Sequence, residues 1–237
     1  MSKLILGDGL LGSELVKQTG WNYISRKKDG IDFTDDQTYR HFLSNYNEII
    51  NCIAHTDTYD KSRNLHWNIN YKAVSDLVEI CNKYNKKLIH ISSDYVYSNS
   101  NPGSSEGDVP VHCNNWYGYT KLLGDAHVQL KSNNYLIVRC GHKQSPFPYE
   151  KAYVNLIGNF DYVDLISNLI VNLIDNDKCG VYNVGTELKS MYDMANRLNN
   201  NVIPSNELFD KTMPVDVSMD LNKLNKFLKL EKIDGKD

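Results

Sequence analysis

A phenol and an ammonium four residues apart, placed after a strand that ends in hydroxyls, are the groups of this chain best suited to move a proton. Tyr117 and Lys121 stand in Trp116-Tyr-Gly-Tyr-Thr-Lys121, and Ser92 and Ser93 close the apolar run that begins at Lys87. On a helix that spacing puts both side chains on one face. Beside a carbonyl, Tyr117 would donate its proton, Lys121 would lower the phenol's pKa by stabilising phenolate, and Ser93 would hydrogen-bond the carbonyl oxygen. The spacing alone selects nothing, because Tyr23 and Lys27 share it where no chemistry is expected. The order strand, hydroxyls, polar loop, helix is what singles out the second pair, since catalytic groups of doubly wound folds lie beyond the carboxyl ends of strands.

A proton donor of this kind accompanies a hydride. Lys3-Leu-Ile-Leu6 runs into Gly7-Asp-Gly-Leu-Leu-Gly12 and then Ser13-Glu-Leu-Val-Lys17, which reads as strand, glycine turn and helix. Gly7 and Gly9 let backbone approach a diphosphate. Leu10 and Leu11 open the helix whose N–H groups and dipole favour anions, and Gly12 lets helix and strand pack closely. Asp8 is expected to point to solvent. A site that prefers NAD usually has an acid at the end of the second strand. Here Ser25 and Arg26 stand there, and a guanidinium suits a 2′-phosphate, so NADPH is the expected cofactor and NADH the alternative. Asp32 and Phe33 follow, where an adenine would be hydrogen-bonded and covered.

The elements that must position these groups alternate. Strands are expected at Trp21–Ser25, Glu48–Ala54, Lys87–Ser92, Tyr135–Arg139 and Gly180–Gly185. Helices are expected at Thr34–Asn45, His66–Asn85, Tyr117–Leu130, Asp161–Asp175, Met191–Leu198 and Leu221–Leu230, with a loop over Ser98–Asp108. Strands that read as continuous apolar runs predict an α/β protein with a parallel sheet covered on both faces. The 237 residues suffice for one large and one small lobe, and the net charge of −3 with no basic stripe argues against a nucleic acid polymer as partner. No apolar run is long enough for a membrane span and no signal peptide is read at the start. Five scattered cysteines (Cys52, Cys81, Cys113, Cys140 and Cys179) lack metal-type spacing and read as reduced thiols of a cytoplasmic protein. No metal ligands are expected.

With these residues assembled, the chain resembles the extended short-chain dehydrogenase/reductases that act on nucleotide sugars, and within them the dTDP-4-dehydrorhamnose reductases. The matching stretches are Gly7–Gly12, Asp32-Phe33, Ile50-Asn-Cys-Ile-Ala-His-Thr56, Trp67-Asn-Ile-Asn70, Ile91-Ser-Ser-Asp-Tyr-Val-Tyr97, Tyr117-Gly-Tyr-Thr-Lys121, Val138-Arg139, Asp161-Tyr-Val-Asp164 and Gly180–Thr186. The resemblance implies a Rossmann-type doubly wound sheet over 1–140, completed by a helix and strand from about 161–185. It also implies a small C-terminal substrate-binding lobe from 141–160 and 186–237. Ser93, Tyr117 and Lys121 would be the catalytic trio. Cys52, Ala54, Thr56 and Asn70 would line or support the cofactor cleft. Ser93, Asp94, Tyr95, Arg139 and His142 would meet the substrate, although Arg139 reads equally as a buried salt-bridge partner and His55 and His142 as structural histidines. A homodimer is the family analogy.

Three departures bear on function. The glycine turn is one residue shorter than the G-x-x-G-x-x-G common in the group. The segment from Arg139 to Asp161 and the tail, which usually build the sugar pocket, are short. Asp94 follows the catalytic hydroxyl where bifunctional epimerase-reductases have a cysteine; an ionised carboxylate would act only as a base, so reduction without 3,5-epimerisation is expected, although Asp94 reads equally as a structural cap on the loop. The expected activity is NADPH-dependent reduction of a 4-keto-6-deoxy nucleotide sugar in deoxysugar synthesis. The alternatives are an epimerase or dehydratase of the same family, or a non-catalytic cofactor-binding subunit such as the regulatory partner of methionine adenosyltransferase.

Overall fold

The sheet forms where the apolar runs predict it. In the computed structural model, which describes residues 2–108, 110, 115–207 and 210–234, β1 (Lys3–Leu6), β2 (Asn22–Ile24), β3 (Glu48–Asn51), β4 (Lys87–Ile91), β5 (Tyr135–Cys140) and one later strand, Gly180–Val184, make a six-stranded sheet. Every pairing is parallel, and the order is β2-β1-β3-β4-β5 followed by Gly180–Val184. The order reverses between β1 and β3, so the glycine turn opens at the switch point.

The period of two along each strand divides the core into two layers. Leu4, Leu6, Ile49, Leu88 and Ile137 face one way, against Val74, Leu77, Val78 and Val128. These come from α4 (Ala73–Lys83) and α5 (Trp116–Lys131). Ile5, Ile50, Ile89 and Val138 face the other way, against Leu15 of α1 (Leu10–Thr19) and Ile166, Ile170 and Leu173 of α6 (Val163–Asp175). Between β2 and β3, α2 is one turn (Arg26–Asp29), and the expected helix over Thr34–Asn45 is two 3-10 segments, Asp36–Thr38 and Arg40–Asn45. The helix expected from His66 begins earlier, as α3 (Arg63–His66), and passes through a π-helical turn, Trp67–Lys72, before α4.

The smaller lobe is built from short pairs. The strands β6 (His142–Lys143) and β9 (Asp161–Tyr162) pair in parallel, as do β7 (Lys151–Tyr153) and β12 (Ile203–Ser205), while β8 (Ile157–Gly158) and β11 (Lys189–Ser190) pair antiparallel. In this numbering Gly180–Val184 is β10, α7 is Met191–Asn196 and α8 is Asn222–Asp234. Phe147, Leu156, Phe160, Met191, Met194 and Val217 form the lobe's core, and Tyr59 and Tyr95 from the sheet domain pack into it. Leu224 and Phe227 of α8 join the sheet's second layer instead, so the last helix sides with the sheet and not with the lobe expected to hold residues 186–237. Among the described residues no helix is long and apolar enough to cross a membrane.

One polar cluster ties the sheet to α5. The Arg139 guanidinium, 1% exposed, grips Asp125 through Nε (2.8 Å) and Nη2 (3.0 Å). Asp125 also accepts from Ser92 Oγ at 3.1 Å and Gln129 Nε2 at 2.6 Å. Arg139 further donates to the Tyr97 hydroxyl, which donates to Asn183 Oδ1. Arg139 is therefore a buried brace and not a substrate ligand: Asp125, 14 positions away in sequence, takes Nε and Nη2, and Tyr97 takes Nη1. Breaking a buried pair from one side leaves an uncompensated charge, so Arg139→Met is expected to lower the unfolding free energy by about 3–5 kcal/mol. Urea denaturation followed by circular dichroism checks this, and a variant as stable as the parent would contradict it.

Candidate active site

At the carboxyl ends of β1, β3, β4 and β5 a cleft of about 410 Å³ opens between sheet and lobe, a size ordinary for small-molecule sites. From the sheet side it is lined by Gly9, Leu10 and Leu11, then by Cys52, Ala54 and Thr56. Ser93, Asp94 and Tyr95 follow, with Tyr117, Lys121, Cys140 and His142. Lys143, Tyr149, Phe160, Met191 and Val217 complete it from the lobe. Those last four carry no motif, and only the folded lobe brings them here.

The glycine turn fits a diphosphate. A Cβ on Gly12 would stand 2.1 Å from the Gly7 carbonyl oxygen, and Gly7 has φ +97, so both positions require glycine. A Cβ on Gly9 would meet nothing within 4 Å, which leaves the approach to the turn open. Gly9 is the N-cap of α1 and no side chain caps that end, so its N–H groups remain available to an anion.

Around the expected adenosine site the side chains differ from expectation. Asp8 does not face solvent: its Oδ2 accepts from the Ser25 hydroxyl at 2.9 Å. Ser25 is buried and also caps α2 by accepting from the Lys28 N–H. Arg26 is exposed. Asp32 accepts from both the backbone and the hydroxyl of Thr34, which hold its carboxyl below the usual range. Phe33 packs against Tyr39 in the core and cannot cover an adenine from there. Ser25, Arg26, Asp32, Phe33, Gly7 and Gly12 lie outside the cleft's lining.

Asn70 supports the cleft from behind. Buried in the π turn, it accepts from the His55 N–H at 2.8 Å and donates to the His55 carbonyl at 3.1 Å and to Thr120 Oγ1 at 3.3 Å. A side chain that satisfies another segment's backbone gives the helix a reason to widen at this turn. Ala54 and Thr56, on either side of His55, are thereby held against the cleft.

Ser93, Tyr117 and Lys121 all line the cleft. Ser93 caps the 3-10 turn Asp94–Tyr97, accepting from the Tyr95 N–H and donating to Asp94 Oδ1 at 3.2 Å. Burial raises the Tyr117 phenol to about 12, and the Ser93 hydroxyl facing it acts in the opposite direction. Lys121, 2% exposed, donates to the Ile91 carbonyl at 2.7 Å. Its ammonium is drawn to the strand-end oxygen and toward Asp125, and burial lowers its pKa to about 8. Burial raises Asp94 to about 6, with Lys143 opposing. Burial pushes His142 down to about 4, so it is neutral near pH 7. Cys140 and Cys52 line the cleft as thiols raised by burial; Cys113 lies outside the described residues. A grouping with no sequence signal also appears, with His55, Asp60 and His66 placing one ligand-type atom each within 4.8 Å of one another.

A family model described as RmlD substrate binding domain matches residues 1–146. A dTDP-4-dehydrorhamnose reductase of Mycolicibacterium smegmatis is 29% identical over 143 residues, 55% of this chain and 42% of that protein. Methionine adenosyltransferase 2 subunit beta of Rattus norvegicus is 28% identical over 134 residues, 51% of this chain and 40% of that protein. The matches thus span less than half the length of either relative. The structure of a dTDP-4-dehydrorhamnose reductase from Bacillus anthracis in complex with NADP superposes with a TM-score of 0.80, at 23% identity, over 99% of this chain and 92% of that one.

The buried ammonium makes a prediction. Lowering Lys121 from 10.5 to about 8 corresponds to about 3 kcal/mol against the folded state. The native state binds this proton less tightly than the unfolded chain, so the penalty is complete below pH 8 and fades between about 8 and 10.5. Lys121→Met is expected to be more stable than the parent by about 2 kcal/mol at pH 7, after loss of the Ile91 hydrogen bond. The difference should shrink above pH 8 in denaturant titrations; a difference independent of pH would place the cause elsewhere.

Proposed function

The chain belongs to the RmlD substrate binding domain family, and from that premise we propose that it is an NADPH-dependent reductase of a 4-keto-6-deoxy nucleotide sugar. The observation that carries the reading is the meeting of Ser93, Tyr117 and an uncapped helix N-terminus in one cleft at the switch point of a parallel sheet. Leu10, Leu11 and the Gly9 turn would hold the dinucleotide's phosphates. Ala54 and Thr56 would hold its nicotinamide half, with Lys121 offering its remaining N–H donors to ribose hydroxyls. When bound, the dinucleotide supplies the hydride.

The chain's own residues then act on the sugar oxygen. Ser93 donates a hydrogen bond to the carbonyl, giving up its bond to Asp94. Tyr117, with its pKa held high by burial, keeps its proton until charge develops on that oxygen and then releases it. His142, neutral near pH 7, and its neighbour Lys143 stand together in β6, where a nucleotide's phosphates would enter. Phe160, Met191 and Val217 exclude water from the sugar. Asp94, raised to about 6 by burial, can give as well as take a proton near neutrality, so reduction without epimerisation is the part of this reading that the separate epimerase below tests.

Loss of NADPH absorbance with dTDP-4-keto-6-deoxyglucose, with and without a separate 3,5-epimerase, tests this. Consumption that requires the epimerase and falls about 10²-fold or more in Tyr117→Phe is expected. A second reading, a cofactor-binding subunit without turnover, draws on the likeness to the rat subunit. Tight NADPH binding with no consumption, across UDP- and GDP-linked keto sugars as well, would favour it.

Asp8 gives a second test. A carboxylate held on Ser25 at the end of β2 accepts a ribose hydroxyl but repels a 2′-phosphate, while Arg26 attracts one. Both NADPH and NADH should therefore be used. Asp8→Asn is expected to shift the ratio of kcat/KM values toward NADPH by roughly threefold to tenfold; an unchanged ratio would remove Asp8 from cofactor choice.

A further inference from the structure

Behind the Tyr117 wall, three side chains converge that the reduction does not use. The segment from Ala54 to Ser62 leaves β3 and folds back so that His55 Nε2 stands 2.8 Å from Asp60 Oδ2. His66, the last residue of α3, faces the same corner, with Nε2 3.0 Å from the Asp60 carbonyl and its ring centroid 4.5 Å from that of His55. His66 is completely buried, yet its Nδ1 has no hydrogen-bond partner. Buried ring nitrogens are seldom left so.

We propose that His55, Asp60 and His66 form a binding site for a divalent ion of the zinc class. Two imidazoles and one carboxylate match the ligand set of a three-residue zinc site with water in the fourth position. Tetrahedral bonds of about 2.0–2.1 Å set ligand atoms roughly 3.4 Å apart. His55 Nε2 and Asp60 Oδ2 stand 2.8 Å apart and all three ligand atoms lie within 4.8 Å of one another, so side-chain rotations rather than a backbone rearrangement would reach that spacing. The nitrogen-rich set disfavours magnesium and calcium, which take oxygens.

Access is present, since the His55 and Asp60 side chains are 19% and 27% exposed while His66 supplies the buried anchor. The site is distinct from the reaction centre but touches its frame. Asn70 holds the His55 backbone, Ala54 and Thr56 line the cleft, and the His66 ring lies 6.5 Å from that of Tyr117. An ion here would pin the 54–66 segment against α5.

The test uses the full chain without a histidine tag, stripped by chelator and titrated with Co²⁺ and then Zn²⁺. One equivalent of Co²⁺ with the visible absorption of a four-coordinate N/O site, displaced by Zn²⁺, is expected. Zn²⁺ should also raise the melting temperature. His55→Gln and Asp60→Asn are expected to bind at least tenfold more weakly, and His41→Gln, at an exposed histidine elsewhere, as the parent does. His55 and Asp60 are partly exposed, so these variants do not rest on a tolerated change at buried His66, and a melt without metal verifies that they fold. Absence of the Co²⁺ band at tenfold excess, or equal binding by parent and His55→Gln, would overturn the site.

Discussion

The ion pair between Asp125 and Arg139 is the constraint on which the cleft depends. It is fully buried, and a buried pair contributes little net stability over an apolar replacement; what it supplies here is position. Asp125 lies one helical turn beyond Lys121, and the same carboxylate accepts from Ser92, next to Ser93. The phenol on α5 and the hydroxyl at the end of β4 are thereby referred to one anion. Through Tyr97 and Asn183 the network reaches β10, and Asn183 Nδ2 donates to the Ser104 and Asp220 carbonyls, so the polar loop and the tail are fixed to the same centre.

A second brace works from the opposite wall. Asn70 joins the end of β3 to α5 by bonding the His55 backbone on one side and Thr120 on the other. Thr120 precedes Lys121, so α5 is located from two directions by side chains of different chemistry. The two braces share no atom. Loss of one need not release the other, and their contributions should combine without strong coupling.

Much of this was legible in the sequence because it rests on local pattern. The apolar runs of β1, β3, β4 and β5 are buried on both faces, and the stripe through Leu77, Val78 and Cys81 lies on the sheet as its spacing predicts. Gly9, Ser93, Tyr117 and Lys121, singled out by their order along the chain, line one cleft. What was not legible is the choice of partner. Arg139 reads equally as a ligand and as a salt-bridge partner until Asp125 is folded beside it. Phe33 reads as an adenine cover until Tyr39 is. Asp8 reaches Ser25 across a turn, and Lys121 donates to a strand-end carbonyl. The π turn follows from a tertiary bond of Asn70, and the His55, Asp60 and His66 grouping from a loop that doubles back. None of these has a periodicity.

The tyrosines that cross from sheet to lobe bear on how molecules enter and leave. Tyr59 and Tyr95 belong to the sheet domain by sequence but pack in the lobe's core, and their hydroxyls meet at 3.3 Å. Two bodies sharing a core in this way do not swing apart as leaves of a hinge, because any rotation would bring both rings into water together. Exchange is left to the rim, where Gln144, Pro148 and Tyr149 are exposed at the cleft's edge. The gate is then a matter of a few residues and its rate one of local loop motion, with the catalytic geometry unchanged through each opening.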